Sequence, residues 1–256
     1  MLMLTLILCT IADPAAAKFR TLHRQQAETH LDLAFQLVMP EQLDVLRTDL
    51  YGEVAFGAFG GYLAIPITRS LEDDIDVSEV GNVELGLLAH YGDEELSIVG
   101  HAGFSVETID ITTLEEFLVL GIGGLPRAQD IWASSLPEVS TLRLGLTPRA
   151  QVGPVFGQVD LGIDFLMIDG GEDLQSYHLG VGVGIELPFV ELTGEVVHVD
   201  LIDPDPLFVN ADFDVQTVSV SATVTLAIVR PFVSYTTFFD DTDVHVVGTG
   251  LSLVFD

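Results

Sequence analysis

Alternation of apolar and small polar side chains is the feature that most constrains this fold. In residues 216–228, valine, alanine and leucine alternate with serine and threonine at every second position. A period of two predicts an extended strand with two unlike faces. Similar two-faced segments recur along the chain and predict twelve strands, at residues 30–39, 49–56, 61–68, 83–91, 96–106, 141–147, 155–168, 177–187, 190–201, 215–228, 232–238 and 244–255.

Composition limits the class of protein. Hydrophobic residues make up 48% of the 256 residues and the mean hydropathy is +0.46, which excludes a disordered chain. We find no continuous apolar run of about 18 residues, so we expect no membrane-spanning helix. The formal net charge of −30 excludes nucleic acid as a partner, because phosphate contact needs lysine and arginine.

The connections between the predicted strands alternate in length. Short ones such as "GAFG" and "GDEE" alternate with long acidic ones such as "DGGEDLQS" and "DPDPLFVNADFD", and Arg149 and Arg230 fall in short ones. Short periplasmic turns and long extracellular loops are typical of transmembrane β-barrels, and an even strand number leaves both termini in the periplasm. The pattern predicts an all-β, closed, antiparallel up-and-down barrel of about twelve strands.

The longest connection, from Glu107 to Ser140, carries its own signal. Thr113 followed by Glu116 is typical of a capping box, which predicts a short helix. We interpret the connection as a helical extracellular loop or a plug. An additional hairpin inside the barrel is the alternative.

The composition of the polar strand face indicates whether the apolar face contacts lipid or a protein core. It consists of Gly, Ser, Thr, Asp and Glu without lysine, whereas the wet face of a soluble sheet usually carries long solvating side chains. Small side chains suit a curved inner wall, and the apolar face would then contact lipid. A secreted, acidic, soluble β-sandwich remains an alternative, since a second sheet could also cover the apolar face.

The two ends of the chain suggest export to the outer membrane. Residues 1–17 resemble a signal peptide, residues 18–29 form a polar periplasmic lead-in, and residues 30–256 form the barrel. At the other end, "GLSLVFD" places Gly250, Leu253 and Phe255 in a glycine–apolar–aromatic order. This order looks like the terminal-strand signal recognised by outer-membrane assembly machinery, which we therefore expect as a partner.

Strand parity assigns the candidate functional residues to the lumen. Carboxylates on that face are the best-supported feature, and we expect them to favour cations in any aqueous path. They are Asp32, Glu53, Glu84, Glu107, Asp160, Asp164, Glu186, Glu191 and Glu195, with Arg143 as the clear basic residue. Asp160, Asp164 and Glu186 are predicted on one hairpin, so their fields should add.

Other chemistry finds little support in the sequence. His90, His101 and His178 share the lumen face, but their spacing brings no metal site together, and we predict no metal or cofactor. Ser105 and His101 share one strand face, as a hydrolase would need, yet such shared parity is commonplace. We predict no catalytic residues and no enzymatic activity.

Three segments carry a resemblance to a known group. They read "GYLAIPI", "EVGNVELGLLAHY" and "LRLGLTPRAQVGPVFGQVDLGIDF". The chain resembles small Gram-negative outer-membrane β-barrels, in the porin-like or transporter group that includes the MetA-type phenol-degradation barrels. In that group an aspartate is usual where this chain has Asn82. The resemblance implies passive transport, with lipid bilayer and lipopolysaccharide as surroundings.

Two other functions remain open beside a narrow channel for small cationic or neutral solutes. One is a structural or surface-interaction barrel that does not conduct. The other is the secreted sandwich described above. The sequence does not decide the oligomeric state.

The carboxy-terminal pattern generates a prediction about assembly. Phe255→Ala, or deletion of the last two residues, should leave the protein in the periplasm for degradation, because the terminal signal would be lost. Cell fractionation, combined with the mobility shift between unboiled and boiled samples in detergent gels, measures the assembled fraction. Normal membrane levels of the truncated chain would show that the carboxy-terminus has no such role.

Overall fold

The computed structural model describes residues 28–40, 43–72, 75–93, 95–202, 214–239 and 243–255. The predicted signal peptide and most of the lead-in therefore lie outside the described residues, as does most of the loop "DPDPLFVNADFD". The strands are β1 (Thr29–Met39), β2 (Val45–Phe56), β3 (Phe59–Ser70), β4 (Ser78–Val80), β5 (Val83–Gly92), β6 (Leu96–Val106), β7 (Val139–Val152), β8 (Val155–Ile168), β9 (Leu174–Glu186), β10 (Val190–Ile202), β11 (Val215–Val224), β12 (Val229–Phe238) and β13 (His245–Phe255).

One antiparallel sheet closes on itself. Each long strand pairs with its neighbour in the chain, and β13 pairs with β1 from Thr29↔Phe255 to Met39↔His245. The short β4 continues into β5 across Gly81 and Asn82, and the register against β3 shifts there by one residue, as in a β-bulge. The predicted closed barrel of about twelve long strands is confirmed. The sandwich alternative is wrong, because a sandwich needs two sheets.

Two predicted turn residues belong instead to strands. Arg149 lies in β7 and Arg230 in β12, where the sequence pattern predicts periplasmic turns. Pro148 suggests the end of a strand, but the pairing of β7 with β8 skips from Leu146↔Leu161 to Arg149↔Gln158. Pro148 lies in this gap, where its missing N–H interrupts the β7–β8 ladder without ending β7.

The strand predicted at residues 215–228 also ends earlier than expected. β11 stops at Val224, and a bridge between Leu226 and Val229 closes the turn to β12. Ala227 has φ 52°, a left-handed backbone conformation that ends the extended run. Within β11, Thr217, Ser219, Ser221 and Thr223 are buried. Val220 and Val224 point outward.

The connection from β6 to β7 is helical. Helix α1 (Leu114–Gly124) leads into a 3₁₀ helix (Leu125–Asp130) and the short α2 (Ile131–Ser135). The capping box is confirmed: the Glu116 N–H donates to Thr113 Oγ1, and the Glu116 carboxylate accepts from the Thr112 and Thr113 N–H groups. Those two bonds lower the pKa of Glu116 below its ordinary value. The hairpin alternative is wrong.

We call residues 107–138 the plug segment, because they fold into the outer half of the barrel. Val119, Ile122 and Leu125 pack against inward-facing apolar residues at the outer ends of β1, β2 and β13, namely Val38, Val45 and Val246. Ile131 and Trp132 pack against Val197, Val199 and Leu201 of β10 and Leu166 of β8. The segment thus reaches opposite parts of the wall. No helix of the described residues is long and apolar enough to cross a membrane.

The outward face is an apolar belt. Its leucine, valine and isoleucine side chains stay exposed, for example Leu87 at 70% and Val183 at 60%. Aromatic side chains border the belt at the periplasmic ends of the strands: Phe56, Phe59, Tyr91, Phe189 and Phe255. Tyr62, by contrast, points inward and is buried. A closed sheet with an apolar belt and an aromatic border is typical of the β-barrels that span bacterial outer membranes.

Inward-facing glycines accommodate aromatic rings from neighbouring strands. A Cβ added at Gly86 would overlap the Tyr62 ring, and one at Gly184 would overlap the Phe156 ring. The same relation joins Gly145 to His101, Gly162 to His178, and Gly250 to Phe232. The glycines at these positions therefore provide room for rings that stiffen the wall, as in other curved sheets.

A matched glycine pair tests this packing. Gly184→Ala should lower the free energy of unfolding by about 1–3 kcal/mol, because the new methyl group displaces the buried Phe156 ring. Gly194→Ala should be neutral or stabilising, since nothing lies within 4 Å of the position that its new methyl group would take. Urea unfolding in lipid vesicles measures both variants. Equal effects would contradict the role given to Gly184.

Candidate functional site

The inner wall carries most of the predicted carboxylates. Seven of them are buried inside the barrel: Asp32, Glu53, Glu84, Asp160, Asp164, Glu191 and Glu195. Glu186 is half-buried at the periplasmic end of β9. Glu107 is exposed, because β6 ends at Val106 and the alternation of faces ends with it. Asp49 of β2 adds a half-buried carboxylate to the wall.

Four arginines also point inward from the described strands, where the sequence indicates only one. Arg47, Arg143, Arg149 and Arg230 are all buried. Sequence reasoning misses Arg47 because the predicted strand begins at Asp49, whereas β2 begins at Val45. It misses Arg149 and Arg230 because the pattern predicts turns there. Carboxylates still outnumber arginines on the described inner wall.

Arg143 is the centre of an ion-pair network beneath the plug segment. Its Nε donates to Asp164 Oδ1 at 3.1 Å, and its Nη1 donates to Glu84 Oε2 at 3.3 Å and to the Asp130 carboxylate. Its Nη2 donates to the backbone carbonyl of Gln129 at 2.7 Å. Asp130 and Gln129 belong to the plug segment, so Arg143 joins that segment to β5, β7 and β8. Tyr62 donates to the other oxygen of Glu84.

A second arginine on another part of the wall holds the same segment. Arg47 of β2 donates through Nη1 to the carbonyl of Gly123 at 2.9 Å and to Ser134 Oγ at 3.4 Å, and it pairs with Asp49 at 2.8 Å. Within the segment, Arg127 pairs with Asp130. Charged contacts therefore cross the lumen from β2 to β8. Because arginine hydrogen bonds are directional, they fix the segment's position.

The periplasmic end of the lumen has a separate set of charges. The Arg149 guanidinium lies 4.5 Å from the centre of the Phe156 ring and 4.0 Å from Glu186 Oε2. Arg230 pairs with Glu28 at 3.0 Å. The predicted addition of fields from Asp160, Asp164 and Glu186 therefore needs correction in one respect. Arg143 faces Asp164 and Arg149 faces Glu186, so both fields are partly cancelled.

The structure brings together two of the three histidines that the sequence assigns to the lumen. His101, Gly145, Gly162 and His178 form one transverse row across β6, β7, β8 and β9. The two imidazole rings stack over the glycines with centroids 6.4 Å apart. His178 Nε2 lies 3.9 Å from Asp160 Oδ1, and His90 Nε2 lies 3.8 Å from Glu53 Oε1. Spacing along the sequence could not reveal this row, because strand register decides it.

The geometry around these histidines bears on the metal and hydrolase sites considered from the sequence. Among the described residues, no group of three or more His, Cys, Asp or Glu side chains is arranged to hold a metal ion. Ser105 and His101 lie four residues apart on β6, about 13 Å along a strand. That separation is too long for a nucleophile and its base.

One signal in the sequence could have identified the plug segment as an internal element. Val38, Val45, Val197, Val199, Leu201 and Val246 have the same parity as the polar lumen residues of their strands. Each lies toward the extracellular end. Apolar residues on an otherwise polar inner face indicate that something apolar covers them there.

Comparison with solved structures identifies the fold. The chain is similar to the COG4313 outer membrane channel from Pseudomonas putida F1, with a TM-score of 0.61, 11% identity, and coverage of 95% of this chain and 100% of that one. It is also similar to the NanC porin (TM-score 0.58, 6% identity, 88% and 99% coverage) and the KdgM porin (TM-score 0.54, 13% identity, 88% and 99% coverage).

The other comparisons found no relatives. No family model matches the sequence, and no curated protein matches it. At identities this low the likeness establishes the fold and not the solute. The resemblance to outer-membrane β-barrels is therefore confirmed for the fold.

The Arg143 network yields a stability prediction. Arg143→Met should lower the free energy of unfolding by about 3–5 kcal/mol, because it leaves buried carboxylates without their shared cation. The fluorescence of Trp132, the chain's single tryptophan and part of the plug segment, reports the loss during urea unfolding. The double variant Arg143→Met, Asp164→Asn should lose less free energy of unfolding than the sum of the losses in the two single variants. Strict additivity would argue against the network.

Proposed function

We propose that the chain is an outer-membrane channel for the passive passage of small cationic or neutral solutes. The observation that carries the proposal is a closed barrel whose inner wall is polar and richer in carboxylates than in arginines. The similar solved structures support it, since two of them are named as porins and one as a channel. Transport of this kind requires no catalytic residue or cofactor.

The surroundings of the barrel form part of the proposal. The apolar belt contacts the hydrocarbon of the bilayer, and the exposed acidic residues at the outer rim, such as Glu172 and Asp173, face the lipopolysaccharide side. Gly250 lies in β13 beside Leu33 and Phe232, while Leu253 and Phe255 pair with β1. Recognition of this closing strand by assembly machinery remains a prediction.

Electrostatics supports a preference for cations. A fixed charge in a wet lumen is screened over a Debye length of about 8 Å at physiological salt, which is comparable to the expected radius of a barrel this size. Carboxylates that outnumber arginines therefore leave a negative potential along the path. Rings of Asp and Glu give cation channels their selectivity in the same way.

A second function has one observation in its favour. The plug segment packs across the outer half of the barrel and is held by arginines from two parts of the wall. Such packing suits a structural or surface-interaction barrel that does not conduct. Purified, folded protein in a planar bilayer distinguishes the two, because the non-conducting barrel should give no current steps at any voltage.

Selectivity is the decisive measurement for the channel. In a salt gradient the parent protein should show a cation-selective reversal potential, larger at low salt because screening is weaker. The triple change Asp160→Asn, Asp164→Asn, Glu186→Gln should move that potential toward zero, with Asp164 contributing least because Arg143 faces it. The charge-matched control Asp169→Asn, Glu172→Gln, Asp173→Asn alters exposed outer-rim residues and should have a smaller effect. Anion preference in the parent would overturn the proposal.

A further inference from the structure

Both ends of the plug segment converge on one side chain, that of Asn82. Where the chain leaves β6, the Thr108 N–H donates to Asn82 Oδ1 at 3.1 Å. Where the chain returns to β7, Asn82 Nδ2 donates to the carbonyls of Leu136 at 2.8 Å and Val139 at 3.1 Å. The Asn82 backbone N–H also donates to the carbonyl of Ser134 at 3.0 Å. A single amide thus connects the exit from one strand with the entry to the next.

The bulge between β4 and β5 is what allows this convergence. Gly81 and Asn82 interrupt the strand, and the Gly81 N–H donates to the carbonyl of Pro66 at 2.8 Å. A Cβ at Gly81 would overlap the carbonyl oxygen of Ser134, so only glycine lets the plug backbone approach. Thr108 Oγ1 adds a bond to the Gly81 carbonyl at 2.8 Å. Residues 81 and 82 therefore form a wall site built for the segment's backbone.

The chemistry of the side chain matters as much as its position. Asn82 is almost fully buried and uses its amide group both to donate and to accept. An ionised carboxylate of the same shape could still accept from Thr108, but it would place a negative charge against two carbonyl oxygens. The site is therefore selective for an amide over an acid of equal size.

The arginine contacts act on a different part of the segment. Arg47 and Arg143 hold its middle, at Gly123, Gln129 and Asp130, and only the Ser134 residue is shared, since Arg47 contacts its hydroxyl and Asn82 its carbonyl. Asn82 instead sets where the chain enters and leaves the lumen, and so how deep the middle lies. The segment is covalently joined to the wall only at its two ends, and both kinds of contact hold it inside the barrel.

We propose that Asn82 is the positioning residue that holds the plug segment inside the barrel, and that loss of its donated bonds lets the segment move away from the aqueous path. The proposal rests on the channel function proposed above. It assigns control of the open state to the bulge at residues 81–82 and not to the wall carboxylates that select the ion.

The first test is the near-isosteric change Asn82→Asp, measured in a planar bilayer. Loss of the two donated bonds should raise the open probability about tenfold, because the inserted position loses buried hydrogen bonds. Thr108→Ala, which removes only the hydroxyl bond to Gly81, should act in the same direction and more weakly. If the Asn82→Asp variant does not assemble, the Thr108→Ala variant still tests the proposal. Unchanged open probability in both assembled variants would overturn the proposal.

A reversible tether shows whether the effect passes through the segment. A Cβ at Gly123 would lie 3.0 Å from Thr68 Cβ of β3, so a disulfide between cysteines at these positions needs a small outward shift of the segment to reach the ~3.5–4.5 Å usual between disulfide Cβ atoms. In a background with Thr68→Cys, Gly123→Cys and Cys9→Ser, the oxidised protein should hold the segment in place and cancel the effect of Asn82→Asp. Adding reductant should restore the raised open probability. In variants with only one of the two cysteines, reductant should not change the open probability. If the oxidised, tethered protein kept the raised open probability of Asn82→Asp, the effect would not depend on movement of the plug segment, and the proposal would be overturned.

Thiol labelling separates this proposal from the channel function itself. Ala133 of α2 is fully buried, so a cysteine introduced there should react slowly with a membrane-impermeant maleimide. Asn82→Asp should increase its labelling rate about tenfold. Faster labelling with no current in any variant would leave the positioning role standing and overturn the channel. Unchanged labelling, in protein that shows the folded mobility shift, would overturn the positioning role.

Discussion

Backbone hydrogen bonds that have no water to replace them are the constraint on which the rest of this structure depends. In hydrocarbon each unpaired N–H or C=O costs several kcal/mol, so a sheet can cross a bilayer only when it has no edge. The pairing of β13 with β1 removes that edge. Closure in turn gives the chain a lipid face and an enclosed face, and alternate residues must satisfy these two different surroundings. The apolar belt and the polar wall are both consequences of the closed ladder.

Enclosure then changes what polar side chains can do. On a soluble surface Arg143, Asp164 and Glu84 would contact water and contribute little to stability. Inside the barrel they are buried and satisfy one another, and Arg143 extends the network to Asp130 of the plug segment. Curvature has a similar effect on glycine, because inward residues converge and a ring such as Phe156 fits only where Gly184 has no Cβ. Charge pairing and ring packing thus fill the same enclosed space, and what remains between them is the proposed solute path.

The plug segment connects the fold to the proposed function. Its apolar residues complete two clusters with the inner faces of β1, β2, β10 and β13, and its backbone is held at Asn82. A barrel wall is rigid because its strands are paired on both sides, whereas a segment bound by side chains and a few backbone contacts can leave at lower cost. The proposed selection of solutes by wall charges and the proposed control of passage by the segment are therefore separable, because they are assigned to different residues.

The sequence by itself determined the class of fold. The alternation of apolar and polar residues is a local property of each strand, and twelve strands with an apolar face leave few arrangements that cover all of those faces. It also determined the side of the wall on which residues such as Asp160 and Glu195 lie, and the capping box at Thr113 and Glu116. Only the tertiary structure decided which inward residues meet. The row of His101, Gly145, Gly162 and His178 depends on the register of four strands. The contacts of Arg143 with Asp130 and of Asn82 with Leu136 depend on a segment folding back into the lumen. Such contacts join residues that are distant along the chain, and local periodicity contains no information about register or about what fills an enclosed space.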